Sequence, residues 1–299
     1  MDIEKNLFIL AFDQRSSLKQ TLFGSQNITK QERRLMCDYK KLVFEGFLSV
    51  WKKLVYKESL AVLVDEEFGS VVIKLAKRKK IKFALSQEKS GLDRVAFEYG
   101  NNFREKIKKI NPDFVKILVR YNPRQKQENK AQLKRLKIMS EWCWKNHYIF
   151  LVELLVPPTE RDLKRVRGFV RVYDEKIRPG LAVKAIKEFY NSDVYPDIWK
   201  IEALSTKLQW HDLLLAVGSG KKGDIVKVVM LGRNASVAQI NKWILACPKD
   251  RVSGFAIGRT IWLRSILDLH AKKVSRLEAT RQIGENYFEF IKLWEKKDK

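Results

Sequence analysis

The sequence predicts a closed (β/α)8 barrel of the TIM-barrel class, and three observations carry the prediction. Eight short apolar, β-branched runs recur along the chain. Longer stretches with apolar residues at helical spacing separate them. The length, 299 residues, suits one large barrel, for which about 250 residues is typical. Alternating strands and helices imply a parallel sheet, and eight units imply closure. An open doubly wound sheet is the alternative. It is disfavoured because no G-x-G-x-x-G follows the first strand. No linker divides the chain, so a single domain over residues 1–299 is expected.

The runs come in order. They are LFILAFD (7–13), LAVLVDEEFG (60–69), KFALSQEKSG (82–91), FVKILVRYNP (114–123), YIFLVELLVPP (148–158), DIWKIEAL (197–204), VKVVMLGR (226–233) and SGFAIGRTIW (253–262). Each begins apolar and ends polar, in Asp13, Asp65, Glu88, Arg120, Glu153, Glu202, Arg233 and Arg259. Barrels build their sites at these carboxyl ends and in the loops that follow. Helical stretches such as ERRLMCDYKKLVFEGFLSVWKKL and NKAQLKRLKIMSEWCWKN lie between the runs. The longest excursion, 159–196, is charged at its start and resumes at Pro179, which predicts two helical pieces. Trp142, Trp144, Trp199, Trp210 and Trp262 are expected to pack between helices and barrel.

Composition narrows the function. The net charge is +25, from 60 Lys and Arg against 35 Asp and Glu. Such a surface attracts nucleic acid, anionic lipid or phosphorylated metabolites. The basic residues are scattered over helix-like segments, with no RNP or zinc-finger signature and no basic groove interleaved with aromatics. Specific nucleic-acid binding is therefore not expected. No apolar run approaches membrane-spanning length, and none forms a signal-peptide core. Cys37, Cys143 and Cys247 are too widely spaced for a disulfide framework, and the reading is a cytoplasmic protein. His147, His211 and His270 lack ligand spacing, so no metal is expected.

Strand parity points to chemistry, since the side-chain period is two. In the fourth run, Val115, Ile117 and Val119 share the face that packs on helices, and Lys116, Leu118 and Arg120 share the inner face. In the sixth, Trp199, Ile201 and Ala203 face outwards, and Ile198, Lys200 and Glu202 face inwards. Glu153 lies late in an otherwise apolar fifth run. A lysine beside another cation in a partly desolvated site is a candidate Schiff-base former. A structural ion pair of Lys200 with Glu202 or Glu153 is the competing reading. For Glu202, pairing with a lysine and binding substrate both stay open. Glu88, Arg120 and Glu202 are candidate substrate-binding residues. The seventh and eighth runs place Gly232, Arg233, Gly258 and Arg259 where barrels commonly build a phosphate site, although an ordinary turn with a solvated arginine would look the same.

The ordered motifs FILAFDQRSSL, VDEEFG, EKSG, VKILVRYNP, ELLVPPT, WKIEAL, LGRNA and GFAIGRTIW cover nearly the whole chain. In this order they resemble the class I aldolases of the tagatose-bisphosphate aldolase group. The chain most closely resembles the aldolase-like domain of myo-inositol catabolism, which is associated with 2-deoxy-5-keto-gluconate 6-phosphate aldolase. The resemblance implies a (β/α)8 barrel with Lys200 as Schiff-base lysine, Glu153 as acid/base and Lys116 as second active-site lysine. It implies that Asp13, Gln14 and Arg15 line the pocket, and that Gly232, Arg233, Gly258 and Arg259 hold phosphate. It implies no cofactor, and a phosphorylated keto sugar as substrate. Tagatose 1,6-bisphosphate, a sulfosugar phosphate, or ligand binding without catalysis are the alternatives. Where the pattern has glycine after Lys-Ile-Glu, this chain has Ala203, on the outer face. A homo-oligomer is compatible with the sequence.

Overall fold

The computed structural model describes residues 6–296; the outermost residues of the expected 1–299 domain lie outside them. The chain opens with β1 (Leu7–Ala11), α1 (Ser16–Phe23), α2 (Lys30–Lys53), β2 (Leu60–Val64), α3 (Glu66–Arg78) and β3 (Lys82–Ser86). Next come α4 (Phe103–Ile110), β4 (Phe114–Arg120), α5 (Lys126–Lys145) and β5 (Ile149–Leu155). Three helices follow, α6 (Glu160–Arg165), α7 (Val170–Lys176) and α8 (Arg178–Tyr190), leading to β6 (Ile198–Glu202). The chain closes with α9 (Lys207–Gly218), β7 (Lys227–Leu231), α10 (Val237–Ala246), β8 (Gly254–Ile257), α11 (Arg259–His270) and α12 (Arg276–Glu295). The strand order β1 to β8 is sequential and closed. The pairs β1–β2, β1–β8, β2–β3, β4–β5 and β5–β6 are parallel. The expected (β/α)8 barrel is the observed fold, and all eight runs supply a strand.

The excursion 159–196 holds three helical pieces where two were expected. Arg167 and Gly168 adopt positive φ angles of 50° and 80° and break the chain after α6. Pro179 then starts α8, where its missing N–H costs nothing. Trp199, Trp210 and Trp262 are fully buried as expected, but Trp144 is 68% exposed. It lies in the last turn of α5, where its neighbour Cys143 takes the buried position.

The residues fall into two compact units. The first takes the chain up to Ser86, Leu231–Leu245, and from Gly254 onward. In it β1 pairs with β2 (Leu10↔Val62) and with β8 (Leu10↔Ile257). Phe8, Phe255, Tyr287 and Trp294 pack as one aromatic cluster. The Tyr287 hydroxyl donates to the Phe8 carbonyl at 2.7 Å, and Trp262 Nε1 donates to that of Ala11 at 2.9 Å. Thr29 opens α2 with a capping box closed by Glu32, and Asp65 caps α3.

The second unit takes Gln87–Met230 and Ala246–Ser253. In it β4, β5 and β6 lie side by side, with Leu118↔Glu153 and Glu153↔Lys200 in register. Trp199 packs outwards on α8: its ring is 5.3 Å from that of Phe189, and its Nε1 donates to the Tyr190 hydroxyl at 3.1 Å. Its neighbour Lys200 must then project to the opposite face.

Candidate active site

In the second unit the inner faces of β4, β5 and β6 carry a row of alternating charge. Gln87 N–H donates to the Lys116 carbonyl at 2.8 Å, which holds the segment entering Glu88 alongside β4. Glu88 then follows. Its Oε1 accepts from Lys116 Nζ at 2.7 Å, and its Oε2 accepts from the Leu118 N–H at 3.1 Å. Lys116 Nζ is also 2.9 Å from Glu153 Oε2, and Lys200 Nζ is 3.0 Å from that same oxygen. The order is Glu88, Lys116, Glu153, Lys200. The register explains it, because Glu153 lies directly opposite Lys200 on one side and Leu118 on the other. The side chains of Lys200 and Glu153 are only 4% and 9% exposed. Each burial would be costly alone, and alternation of sign compensates it.

One carboxylate oxygen thus serves two ammonium groups. Such an oxygen can take a proton from either amine over one hydrogen-bond length, which is the reach that acid/base work requires.

The other candidates of this unit are placed as follows. Glu202 is buried, accepts from the Val156 N–H at 2.9 Å and lies 3.9 Å from Arg178 Nη1. Arg178 also donates to the Ala203 carbonyl at 2.8 Å and pairs with Asp174 at 3.1 Å. This buried arginine was missed by the sequence reading. Its only sequence signal is a place before Pro179, which is no signal for burial. Arg120, at the end of β4, donates to the Leu92 carbonyl at 3.1 Å and so holds the loop that follows Glu88.

The remaining candidates lie in the first unit. Asp13 and Arg15 are buried at the end of β1, and Gln14 is half-buried. Gly258 is demanded by close approach: a Cβ there would run into the Ala11 carbonyl oxygen and come within 3.3 Å of Gln14 Nε2. The strand-seven turn is tight as well. Arg233 and Asn234 have φ angles of 48° and 59°, in the left-handed region that costs a non-glycine residue energy. A Cβ on Gly232 would press on Ile240 and Ile257 at 3.2 Å. The Thr260 hydroxyl donates to the Ala235 carbonyl at 2.8 Å, tying the turn after β7 to the turn after β8. Gly232, Arg233, Gly258 and Arg259 are thereby brought into one pair of linked turns.

A second buried cation, after Arg178, escaped the sequence reading. Lys40, on α2, forms an ion pair with Asp65, and Asp65 Oδ2 also accepts from the Phe68 N–H at 2.8 Å. Burial pulls the Lys40 ammonium down to about 7, against the attraction of the Asp13 charge. The signal was present. Met36, Lys40 and Phe44 recur at four-residue spacing on the apolar face of α2.

Solved structures similar to this chain include aldolases. Fructose-bisphosphate aldolase from Plasmodium falciparum superposes with a TM-score of 0.60 at 12% identity, covering 99% of this chain and 93% of its own. A Schiff base-forming fructose-1,6-bisphosphate aldolase gives 0.57 at 12% identity, with 94% of each chain covered. Fructose-bisphosphate aldolase from Slackia heliotrinireducens gives 0.54 at 11%, covering 94% of this chain and 86% of its own. At these identities the likeness is one of fold. A search of curated protein sequences found no match. Among the described residues, no helix is long and apolar enough to cross a membrane. The family model described as "Uncharacterized protein conserved in bacteria (DUF2090)" matches residues 2–298, almost the entire barrel, and the chain belongs to that family.

Proposed function

We propose that this protein is a class I aldolase that cleaves a phosphorylated keto sugar acid through a Schiff base on Lys200. The substrate proposed is 2-deoxy-5-keto-gluconate 6-phosphate, and the products are dihydroxyacetone phosphate and malonate semialdehyde. One observation carries the reading: Lys200 and Lys116 share Glu153 Oε2, at 3.0 and 2.9 Å, on the inner faces of adjacent strands. The sequence motifs in WKIEAL and ELLVPPT and the aldolase fold of the neighbours support it.

The chemistry follows from that row. Glu153 takes a proton from the Lys200 ammonium, while Lys116 stays charged between Glu88 and Glu153. The Lys200 amine attacks the substrate ketone at C5, Glu153 returns its proton to the carbinolamine hydroxyl, and that hydroxyl leaves as water to give an iminium. Glu153 removes the proton of the C3 hydroxyl, the C3–C4 bond breaks, and its electron pair enters the iminium to give an enamine. Malonate semialdehyde departs. The enamine is protonated at carbon, and water hydrolyses the resulting iminium to release dihydroxyacetone phosphate and the free amine. Asp13, Gln14, Arg15, Glu88, Arg120 and Glu202 are assigned to the sugar hydroxyls and carboxylate. Gly232, Arg233, Gly258 and Arg259 are assigned to the phosphate. The three cysteines are unpaired, in keeping with a cytoplasmic location.

Borohydride reduction in the presence of dihydroxyacetone phosphate tests the reading. The expected result is a covalent adduct mapped to Lys200 by peptide mass. No adduct, or one that persists in Lys200→Met, overturns it. A panel of phosphorylated ketoses, including tagatose 1,6-bisphosphate and a sulfosugar phosphate, then decides the substrate.

A further inference from the structure

The second unit contains a cavity of about 770 Å3 formed by the segments after β4 and β5 together with α8. Five cationic side chains line it, Arg124, Lys126, Arg161, Arg165 and Lys184. They come from three separate stretches of chain, so the fold itself assembles the positive charge.

The opposing charge nearby is small. Asp162 is fully buried and pairs with Arg124 at 2.6 Å. Its Oδ2 accepts from the Thr159 hydroxyl at 2.7 Å and from Asn122 Nδ2 at 3.0 Å. Thr159, another lining residue, is therefore committed to Asp162. Glu188 stands 4.0 Å from Lys184, at the limit of an ion pair. The remaining positive charge belongs to Lys126, Arg161 and Arg165, all exposed. Their long side chains would repel one another around an empty space, and an anion of several charges relieves that repulsion.

The lining also says what the anion is. Among the described residues, Pro123 is the only apolar side chain that lines it, and no aromatic ring is present to stack a base. The volume falls within the range of small-molecule sites, roughly 300–1,000 Å3. Arginines present planar forks that match phosphate oxygens, and lysines supply point charge. We propose that this cavity is a binding site for a compact polyphosphate group, separate from the lysine row on β4 and β6. The anion is held by Arg161 and Arg165 from α6, Lys184 from α8 and Lys126 from the start of α5. Arg124, fixed by buried Asp162, forms the floor.

Calorimetric titration of the full chain with sodium tripolyphosphate, at two salt concentrations, tests the proposal. Saturable binding is expected that weakens with salt and is at least about tenfold tighter than binding of orthophosphate. Arg161, Arg165 and Lys184 are exposed, so R161A/R165A/K184A is expected to fold and to lose about tenfold or more in affinity. Arg165→Glu, checked by circular dichroism, is expected to do the same by charge reversal. Lys200→Met is expected to bind within about twofold of the parent, which separates this site from the Schiff-base reading. Three results overturn the proposal: unchanged affinity in folded Arg165→Glu, loss of binding in Lys200→Met, or a single-stranded oligonucleotide that displaces tripolyphosphate at lower phosphate concentration.

Discussion

Buried lysines in this protein meet carboxylates in two opposite ways. Lys40 and Asp65 form a closed pair, with side chains 2% and 1% exposed. Asp65 spends its other oxygen on the Phe68 N–H at the start of α3. The lysine holds the carboxylate, the carboxylate holds the helix, and the face of Phe68 covers the cation. In the second unit, Lys200 and Lys116 contend for one oxygen of Glu153, and Lys116 also reaches Glu88, whose side chain is 12% exposed. The first arrangement fixes a helix end. The second lets a proton move between partners of one short row. Burial alone does not make a lysine reactive. What differs is whether its carboxylate is committed or shared.

The largest effect should follow from removing the shared-site amine. Lys200→Met is expected to lower kcat for retro-aldol cleavage on the order of 10^3-fold or more, measured by coupled release of dihydroxyacetone phosphate. Retained turnover would put Lys200 in the same structural class as Lys40. Glu153→Gln keeps the shape of the carboxylate and removes its basicity. It is expected to cost kcat about 10^2- to 10^4-fold with a smaller change in KM. If KM alone moves, Glu153 merely holds substrate.

Lys40→Met tests the other half of the contrast. It strands Asp65 in a dry interior and is expected to cost about 3–5 kcal/mol of stability in urea unfolding. Turnover per folded molecule should remain within about twofold. A loss of turnover without loss of stability would erase the distinction drawn between the two lysines.

The smallest expected effect is a pH dependence. Burial lowers the Lys40 pKa to about 7 in the fold, against about 10.4 in the unfolded chain. Between those values the unfolded state binds the extra proton, so this group makes stability rise with pH. Below about pH 7 both states are protonated and its full cost is present. The urea midpoint of the parent should therefore climb from pH 7 to 9.5 relative to that of Lys40→Met. Parallel profiles would show that Lys40 titrates alike in both states.

How much of this was legible depends on how far apart the partners lie in sequence. Strand parity separated Lys116 from Val115, and Lys200 from Trp199, because two-residue alternation is a local property. The meeting of Lys200 with Glu153 needs strand register; parity left Glu202 and Glu153 both open as partners, and the pairing of β5 with β6 brings Glu153 to Lys200. Lys40 was readable as a cation on the apolar face of α2, although its partner Asp65 was noted only as a strand end. Arg178 was not readable. Its contacts to the Glu202 and Ala203 carbonyls span 24 and 25 residues across helix α8, and no short-range pattern encodes them. The cavity near Arg161 was hidden for the same reason. Its charges looked like the solvated faces of helices until the break at Arg167 and Gly168 folded α6 and α8 into separate pieces.

The seam between β1 and β8 has a consequence for the growing chain. Leu7–Ala11 pairs on one side with β2, which follows it closely, and on the other with Gly254–Ile257. Gly254, at φ 142°, lets the two backbones meet where a Cβ would strike the Leu7 carbonyl. All the chain from β2 to β7 must leave the ribosome before that pairing can form. Until then one edge of a fully apolar strand stands open, with its amides unmet. Such distant pairing is slow to establish and leaves intermediates prone to aggregate. Synthesis of this protein thus passes through a stage in which β1 waits for β8.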